Sequence, residues 1–115
     1  MNIKTQVEVV IDGILAGKIL ETFDAYYAND VVMSENRTEE RAGKALNREY
    51  EMKFLENIHE FHGAKVGRVI VDDDHAAVEW AFDITFKDGN RVSMQQVAVQ
   101  TWKDGKIIRE DFYHG

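Results

Sequence analysis

The chain has 115 residues, of which 44% are hydrophobic and 30% are charged; this composition is typical of one ordinary globular domain and not of a disordered or membrane-spanning chain. Lysine and arginine number 14 against 21 aspartates and glutamates, which gives a formal net charge of −7 with histidine neutral. A nucleic-acid binder would need a clustered basic surface instead. The absence of cysteine and proline excludes disulfides, thiolate metal sites, cysteine nucleophiles and cis-proline turns.

No stretch of the sequence reaches the roughly 18 apolar residues of a membrane span. The segment 1–15 has a hydrophobic side, but Glu8 and Asp12 interrupt it, and no basic leader precedes an apolar run. It therefore lacks the pattern of a signal peptide. We expect a cytoplasmic protein that binds neither membranes nor nucleic acid.

Apolar residues at helical spacing predict three helices. The first begins at Ile3 and ends at Gly17, which is placed to form a left-handed cap. The second continues from Ile19 to Tyr27. The third follows Gly43, and its apolar stripe comprises Leu46, Tyr50, Phe54 and Ile58.

The strands follow mostly after the helices. A short strand is predicted at 31–33, before a polar loop at 38–43. From residue 64 the apolar period changes to two, as in half-buried strands. The later strands are predicted at 66–71, 76–86, 91–102 and 107–113. Helices followed by an antiparallel meander indicate an α+β fold.

The hairpin loops determine which strand residues share a face. A three-residue loop at 88–90 would place Phe82 opposite Gln96, and a two-residue turn at 104–105 would place Ala98 opposite Asp111. The face expected under the helices then carries Val78, Trp80, Phe82, Ile84, Phe86, Val92, Met94, Gln96, Ala98, Gln100, Arg109, Asp111 and Tyr113. Unpaired buried polar groups cost ~1–3 kcal/mol each. The polar members therefore either pair near an edge or line a cavity.

The opposite face of the predicted sheet has an apolar patch at one end, formed by Val97, Val99, Ile108 and Phe112. An apolar patch on a nominally solvated face suggests a contact between two copies of the chain. We therefore expect a homodimer through the outer face of the sheet.

The order of these elements and several short motifs resemble the nuclear-transport-factor-2-like (NTF2-like) superfamily, and within it the SnoaL-like and ketosteroid-isomerase-like proteins. The features that carry the resemblance are 14–18, 27–33, Gly43, 78–80, 102–107 and 112–113. The resemblance implies one domain over residues 1–115, in which a curved antiparallel sheet wraps around three helices as a cone with a pocket. The superfamily includes isomerases, cyclases, dehydratases, hydrolases, transport factors and subunits without catalysis, so the fold does not choose among them.

The resemblance favours binding of a small apolar molecule, with isomerase, cyclase or dehydratase chemistry on a carbonyl compound. The alternative is a dimeric partner-binding module without catalysis. The candidate catalytic residues are Asp111 and Tyr113, although Arg109 beside Asp111 also fits a purely structural ion pair. Many SnoaL-like members have an acid two residues after the last-strand tyrosine, where this chain has Gly115. The expected ligand-binding residues are Tyr27, Met33, Glu35, Phe54, Trp80, Phe82, Met94, Gln96, Gln100 and Arg109.

Two histidines, His59 and His62, are expected on one side of the end of the third helix. With Glu56 or Glu60 they could hold a metal, but a solvated helix end is the preferred interpretation. We therefore expect no metal and no cofactor.

Overall fold

The computed structural model describes residues 3–115, which form three helices and six strands. The elements are α1 (Lys4–Leu15), α2 (Ile19–Tyr26), β1 (Tyr27–Glu35), β2 (Glu39–Ala42), α3 (Lys44–Glu56), β3 (Ile58–Asp72), β4 (His75–Phe86), β5 (Arg91–Lys103) and β6 (Lys106–Tyr113). No helix in this part of the chain is long and apolar enough to cross a membrane.

The six strands form one sheet in the order β2-β1-β6-β5-β4-β3. All neighbours are antiparallel except β1 and β6, which run parallel. Bulges interrupt the β3–β4 pairing at three points, and bulges bend strands. The helices lie against one face of this open, curved sheet, where their apolar residues join those of the strands in a single core. The α+β cone predicted from the sequence is confirmed.

The predicted left-handed cap at the end of α1 is confirmed. Gly17 has a φ of +80°, and its N–H donates to the carbonyl of Ile14, while the N–H of Lys18 donates to the carbonyl of Gly13. This pair of hydrogen bonds satisfies the last carbonyls of the helix. It turns the chain so that α2 packs directly against α1.

Four elements predicted from the sequence need correction. β1 covers Tyr27–Glu35 instead of 31–33. The third helix ends at Glu56, so His59 and His62 lie in β3 and not on a helix. β3 begins at residue 58 instead of 66, and the predicted loop at 38–43 contains β2. Both β3 and β2 are edge strands with mostly exposed residues, and such strands lack the alternation by which strands are recognised.

The β4–β5 hairpin differs from its prediction by two residues in register. The loop consists of residues 87–89, one residue earlier than expected, and the N–H of Phe86 donates to the carbonyl of Asn90. Trp80 therefore lies opposite Gln96 instead of Ala98. A shift of two residues keeps every side chain on its face. The predicted inner face of β4 and β5 is therefore correct.

The β5–β6 hairpin changes face along its length. The two-residue turn is as predicted, with Trp102 opposite Ile107, but beyond it Thr101 pairs with Arg109 and Ile108 has no partner. This bulge is a single extra residue in β6, and it reverses which side chains point inward from there on. Glu110 and Phe112 consequently share the inner face with their partners on β5.

Candidate functional site

A cavity of about 440 Å³ lies between the inner face of the sheet and the three helices. Eight of the residues that line it are aromatic. Among them, Trp80 stacks on Phe82 at a centroid separation of 5.3 Å, and Phe61 meets Phe82 edge to face. Seven of the expected ligand-binding residues line it, namely Tyr27, Glu35, Phe54, Trp80, Phe82, Met94 and Gln96. This volume lies within the range of small-molecule sites, about 300–1,000 Å³.

Glu110 is a carboxylate that β6 places in the wall of this cavity, where it is only 3% exposed. The Tyr27 hydroxyl donates to its Oε1, and the Gln100 amide donates to its Oε2 at 3.0 Å. The Trp102 indole N–H, which can only donate, donates to Gln100 Oε1 at 3.0 Å. This last bond orients the amide, so the NH₂ group of Gln100 has to face the carboxylate.

Burial raises the pKa of Glu110 to about 7, although the hydrogen bonds from Tyr27 and Gln100 act in the opposite direction. Burial and the neighbouring carboxylate also hold the pKa of Tyr27 well above its usual range. Tyr27 therefore keeps its proton at neutral pH. Glu110, in contrast, can gain or lose a proton there, as a general acid or base must.

A second carboxylate in the cavity wall belongs to Glu51 of α3. Within residues 3–115 no side chain or backbone group forms a hydrogen bond or ion pair with this carboxylate. Burial raises its pKa to about 7; Arg41 opposes this increase and Glu35 adds to it. Glu51 is thus a carboxylate without a partner on the surface of an apolar cavity.

The third carboxylate of the cavity, Glu35, has hydrogen-bond and ion-pair partners. Arg41 Nη2 lies 3.0 Å from Glu35 Oε2, and the ring of His114 lies 3.1 Å from Oε1. Arg41 also donates to Asn47 Oδ1, and its guanidinium covers one face of the Tyr50 ring at 3.9 Å. The cation is therefore held behind the wall and does not itself line the cavity.

Asp111 and Tyr113 do not lie where the sequence predicted them. The bulge at Ile108 places both on the outer face of the sheet with Arg109, and none of the three lines the cavity. Tyr113 is 40% exposed and lies beside Val97. The expected inner-face position of these residues is wrong because a one-residue bulge changes their side without any mark in the sequence.

Asp111 belongs instead to an ion cluster on the outer face. Arg109 Nε lies 3.0 Å from its Oδ2, Ser34 donates to its Oδ1 at 2.6 Å, and Arg37 lies 3.6 Å away. Burial acts to raise the pKa of Asp111, but the hydrogen bonds from Arg109 and Ser34 outweigh it and lower the pKa. This arrangement matches the structural ion pair that the sequence left as the alternative.

Two other expected ligand-binding residues, Met33 and Gln100, are buried behind the cavity wall. The sequence reasoning missed Glu110 and Glu51. Helical spacing could have indicated Glu51, because it lies three residues before Phe54 and four after Asn47. Both of these residues lie on the packed side of α3. Glu110 had none, because its position depends on the bulge.

The histidines considered for metal binding are not gathered into a site. His62 lies 2.7 Å from Thr85 Oγ1 and 3.1 Å from Glu60. Among residues 3–115, no group of three or more histidine, aspartate or glutamate side chains is arranged to hold a metal ion.

Solved structures from three bacteria are similar to the chain over nearly its whole length. A protein from Mesorhizobium loti described as a SnoaL-like polyketide cyclase is 31% identical, with a TM-score of 0.87 over 99% of this chain and 100% of that one. A cystatin-like-fold protein of unknown function from Xanthomonas campestris is 18% identical, with a TM-score of 0.85 over 100% and 92%. An NTF2-like protein of unknown function from Burkholderia pseudomallei is 15% identical, with a TM-score of 0.82 over 100% and 92%.

The search of curated proteins found no match to the chain. The model of the SnoaL-like domain, in contrast, matches residues 7–110, which include all three helices except the first turn of α1 and the sheet up to Glu110. The sequence resemblance is thereby confirmed. The chain belongs to the SnoaL-like family, within the NTF2-like fold.

Proposed function

We propose that the chain binds a small, mostly apolar carbonyl compound in its cavity and transfers a proton on it, as an isomerase, cyclase or dehydratase does. The observation that carries this proposal is Glu110, a buried carboxylate on the cavity surface with two hydrogen bonds and a pKa of about 7. A group with this pKa can take a proton from carbon and return it near neutral pH. The aromatic walls suit the apolar body of such a compound.

Glu110 acts as the base in this reaction. It takes the proton from the carbon next to the carbonyl, and the C–H electron pair becomes that of the enolate. As Glu110 becomes protonated, its oxygen accepts the hydrogen bond from the Tyr27 hydroxyl less strongly. That hydroxyl can then donate its hydrogen bond to the developing enolate oxygen. The proton then returns to another carbon in an isomerase. In a cyclase the enolate carbon attacks a second carbonyl, and the resulting alkoxide takes the proton from Glu110. In a dehydratase the enolate expels the hydroxyl group of the neighbouring carbon, which leaves as water with that proton.

The experiment measures exchange of the α-hydrogens of 2-tetralone, an apolar ketone that enolises readily, in D₂O by NMR. The wild type should exchange them faster than buffer alone. Glu110→Gln should lower that rate by about 10²–10⁴-fold, and Asp111→Asn should leave it unchanged. The proposal is wrong if Glu110→Gln exchanges as fast as the wild type, or if Asp111→Asn loses the activity instead.

We also propose that two copies of the chain associate through the outer face of the sheet. Val97 and Val99 lie half-buried on that face with Tyr113 beside them, and these apolar surfaces support a contact between copies. Phe112 no longer belongs to this patch, because it faces the cavity. Val99→Lys should convert a dimer into a monomer in sedimentation experiments, and a dimer that persists would contradict the proposal.

A further inference from the structure

We infer that the ligand of the cavity carries a cationic nitrogen and that Glu51 receives it. This inference deepens the proposed function, because it rests on the cavity being the binding site. It adds that the apolar carbonyl compound also carries an amine or ammonium group. It also assigns a recognition role to Glu51, which the proton transfer does not use.

The Glu51 carboxylate has no partner among the residues that the structure describes. It lines an apolar cavity without a hydrogen bond or ion pair from any group within residues 3–115. Glu51 is only half-buried, so a ligand that fills the cavity takes water away from its carboxylate. An ionised carboxylate that loses its water without gaining a partner is strongly unfavourable. A ligand that brings a positive charge, and an N–H where it has one, removes this penalty, whereas a neutral ligand leaves it in place.

The charges around the cavity also favour a cation. Glu35, Glu51 and Glu110 line it, and no lysine or arginine does so within the part of the chain that the structure describes. The nearby Arg41 is engaged by Glu35 and Asn47. It acts on Glu51 only through its charge at a distance. The one basic side chain among the described lining residues is His114, and its ring faces Glu35 at 3.1 Å. An anionic ligand would therefore meet a surface on which carboxylates predominate.

The aromatic walls provide the second component of a cation site. Tyr50 and Phe54 line the cavity from the same helix as Glu51, and the stacked pair of Trp80 and Phe82 lines it from the sheet. Aromatic ring faces attract organic cations, by about 0.5–1 kcal/mol at exposed sites and 2 or more when the cation is desolvated. Rings of this kind also accept the apolar part of an amine. The combination of an unpaired carboxylate with aromatic walls therefore selects an apolar cation over a small inorganic ion.

The test compares the binding of benzylamine and benzyl alcohol by isothermal titration calorimetry. Benzyl alcohol has the same ring and linker but no charge. The measurement is made at about pH 8, where both Glu51 and Glu110 are mainly ionised. The wild type should bind benzylamine about tenfold more tightly or better. Glu51→Gln should bring the two affinities to within about twofold of each other, because the amide offers no charge. Continued binding of benzyl alcohol by this variant shows that its cavity is intact.

The matched control is Glu49→Gln on the exposed side of α3, where Glu49 pairs with Lys53. It removes the same charge from the same helix and should keep the preference for the amine. Three results would each overturn the inference. The wild type could bind the two compounds equally, Glu51→Gln could keep the preference for benzylamine, or Glu49→Gln could lose that preference as Glu51→Gln does. In these cases the binding of benzyl alcohol leaves the proposed function standing. If the wild type binds neither compound, the inference fails, and the exchange of 2-tetralone decides the proposed function separately.

Discussion

Replacing Glu110 by glutamine should stabilise the protein above neutral pH. The native carboxylate is ionised there while it is buried, and this lowers the free energy of unfolding of the wild type. The folded protein has a pKa of about 7 at this group, against an ordinary value of 4.5. At 1.36 kcal/mol for each pKa unit, the difference corresponds to about 3 kcal/mol. This is a large part of the ~5–15 kcal/mol by which a domain is stable.

The direction of the pH effect follows from which state holds the proton. Between about pH 4.5 and pH 7 the unfolded chain has lost the proton of Glu110, while the folded protein still binds it. The free energy of unfolding should therefore fall as the pH rises through this window and level off above it. Below about pH 4.5 Glu110 is protonated in both states and does not lower the free energy of unfolding.

Glutamine is a close replacement for the protonated form of Glu110. Its side-chain oxygen can accept the hydrogen bond that Gln100 now donates to Oε2, while its NH₂ group donates to the Tyr27 oxygen in place of Oε1. Both contacts of the site are then kept, and only the titration is removed.

The assay is urea unfolding of the wild type and Glu110→Gln at about pH 5 and about pH 8. Carboxylates that do not interact with Glu110 titrate alike in both proteins, so their effects cancel when the two pH-dependent changes are subtracted. The variant should gain about 2–3 kcal/mol relative to the wild type between the two pH values. Equal pH dependence in the two proteins would refute the reasoning, and so would a variant that loses stability relative to the wild type as the pH rises.

Three further substitutions test separate parts of the molecule. Asp111→Asn should reduce the free energy of unfolding by about 1–3 kcal/mol at neutral pH. The pKa of the wild-type carboxyl is lowered, so this deficit should shrink in acid as that carboxyl becomes protonated. Thermal unfolding from neutral pH to below pH ~4 checks this, and an unchanged stability contradicts the ion cluster. Tyr27→Phe should lower the α-hydrogen exchange rate of 2-tetralone by about 10-fold or more while leaving its affinity within about twofold; an unchanged rate means that the hydroxyl has no part in proton transfer. Gly13→Ala would bring a Cβ to 2.1 Å from Thr22 Oγ1, whereas a Cβ at Gly63 meets no atom within 4 Å. Gly13→Ala should therefore cost about 1–3 kcal/mol and Gly63→Ala less than about 1 kcal/mol in chemical denaturation, and equal costs would contradict the close packing of α1 on α2.

The elements with local signals could be predicted from the sequence. Strict alternation in β4 gave the correct inner face, and Gly17 at the end of an apolar stripe gave the end of α1. The parallel pairing of β1 with β6 had no such signal, because it joins residues about 80 positions apart. Sequence patterns describe a strand, and its neighbour in the sheet is decided by packing.

The candidate site was predicted only in part, because its carboxylates depend on two small local features. The bulge at Ile108 exchanges Asp111 for Glu110 on the inner face. In α3 the packed side runs through Asn47 and Glu51, while Leu46, which the apolar stripe had placed inside, is 50% exposed. In both cases a carboxylate, buried at Glu110 and half-buried at Glu51, occupies a position that hydrophobic patterning assigns to an apolar residue. Such exceptions are expected where a fold has a functional cavity.

The central claim is that the bulge in β6 turns Glu110 into the cavity as a buried carboxylate that titrates near neutral pH. The most direct measurement is the NMR titration of the side-chain carboxyl carbon of Glu110, assigned by the resonance that disappears in Glu110→Gln. A pKa of about 7 is the expected result. A pKa near the ordinary 4.5 would mean that the carboxylate is solvated, and the proposed acid–base role would then have no basis.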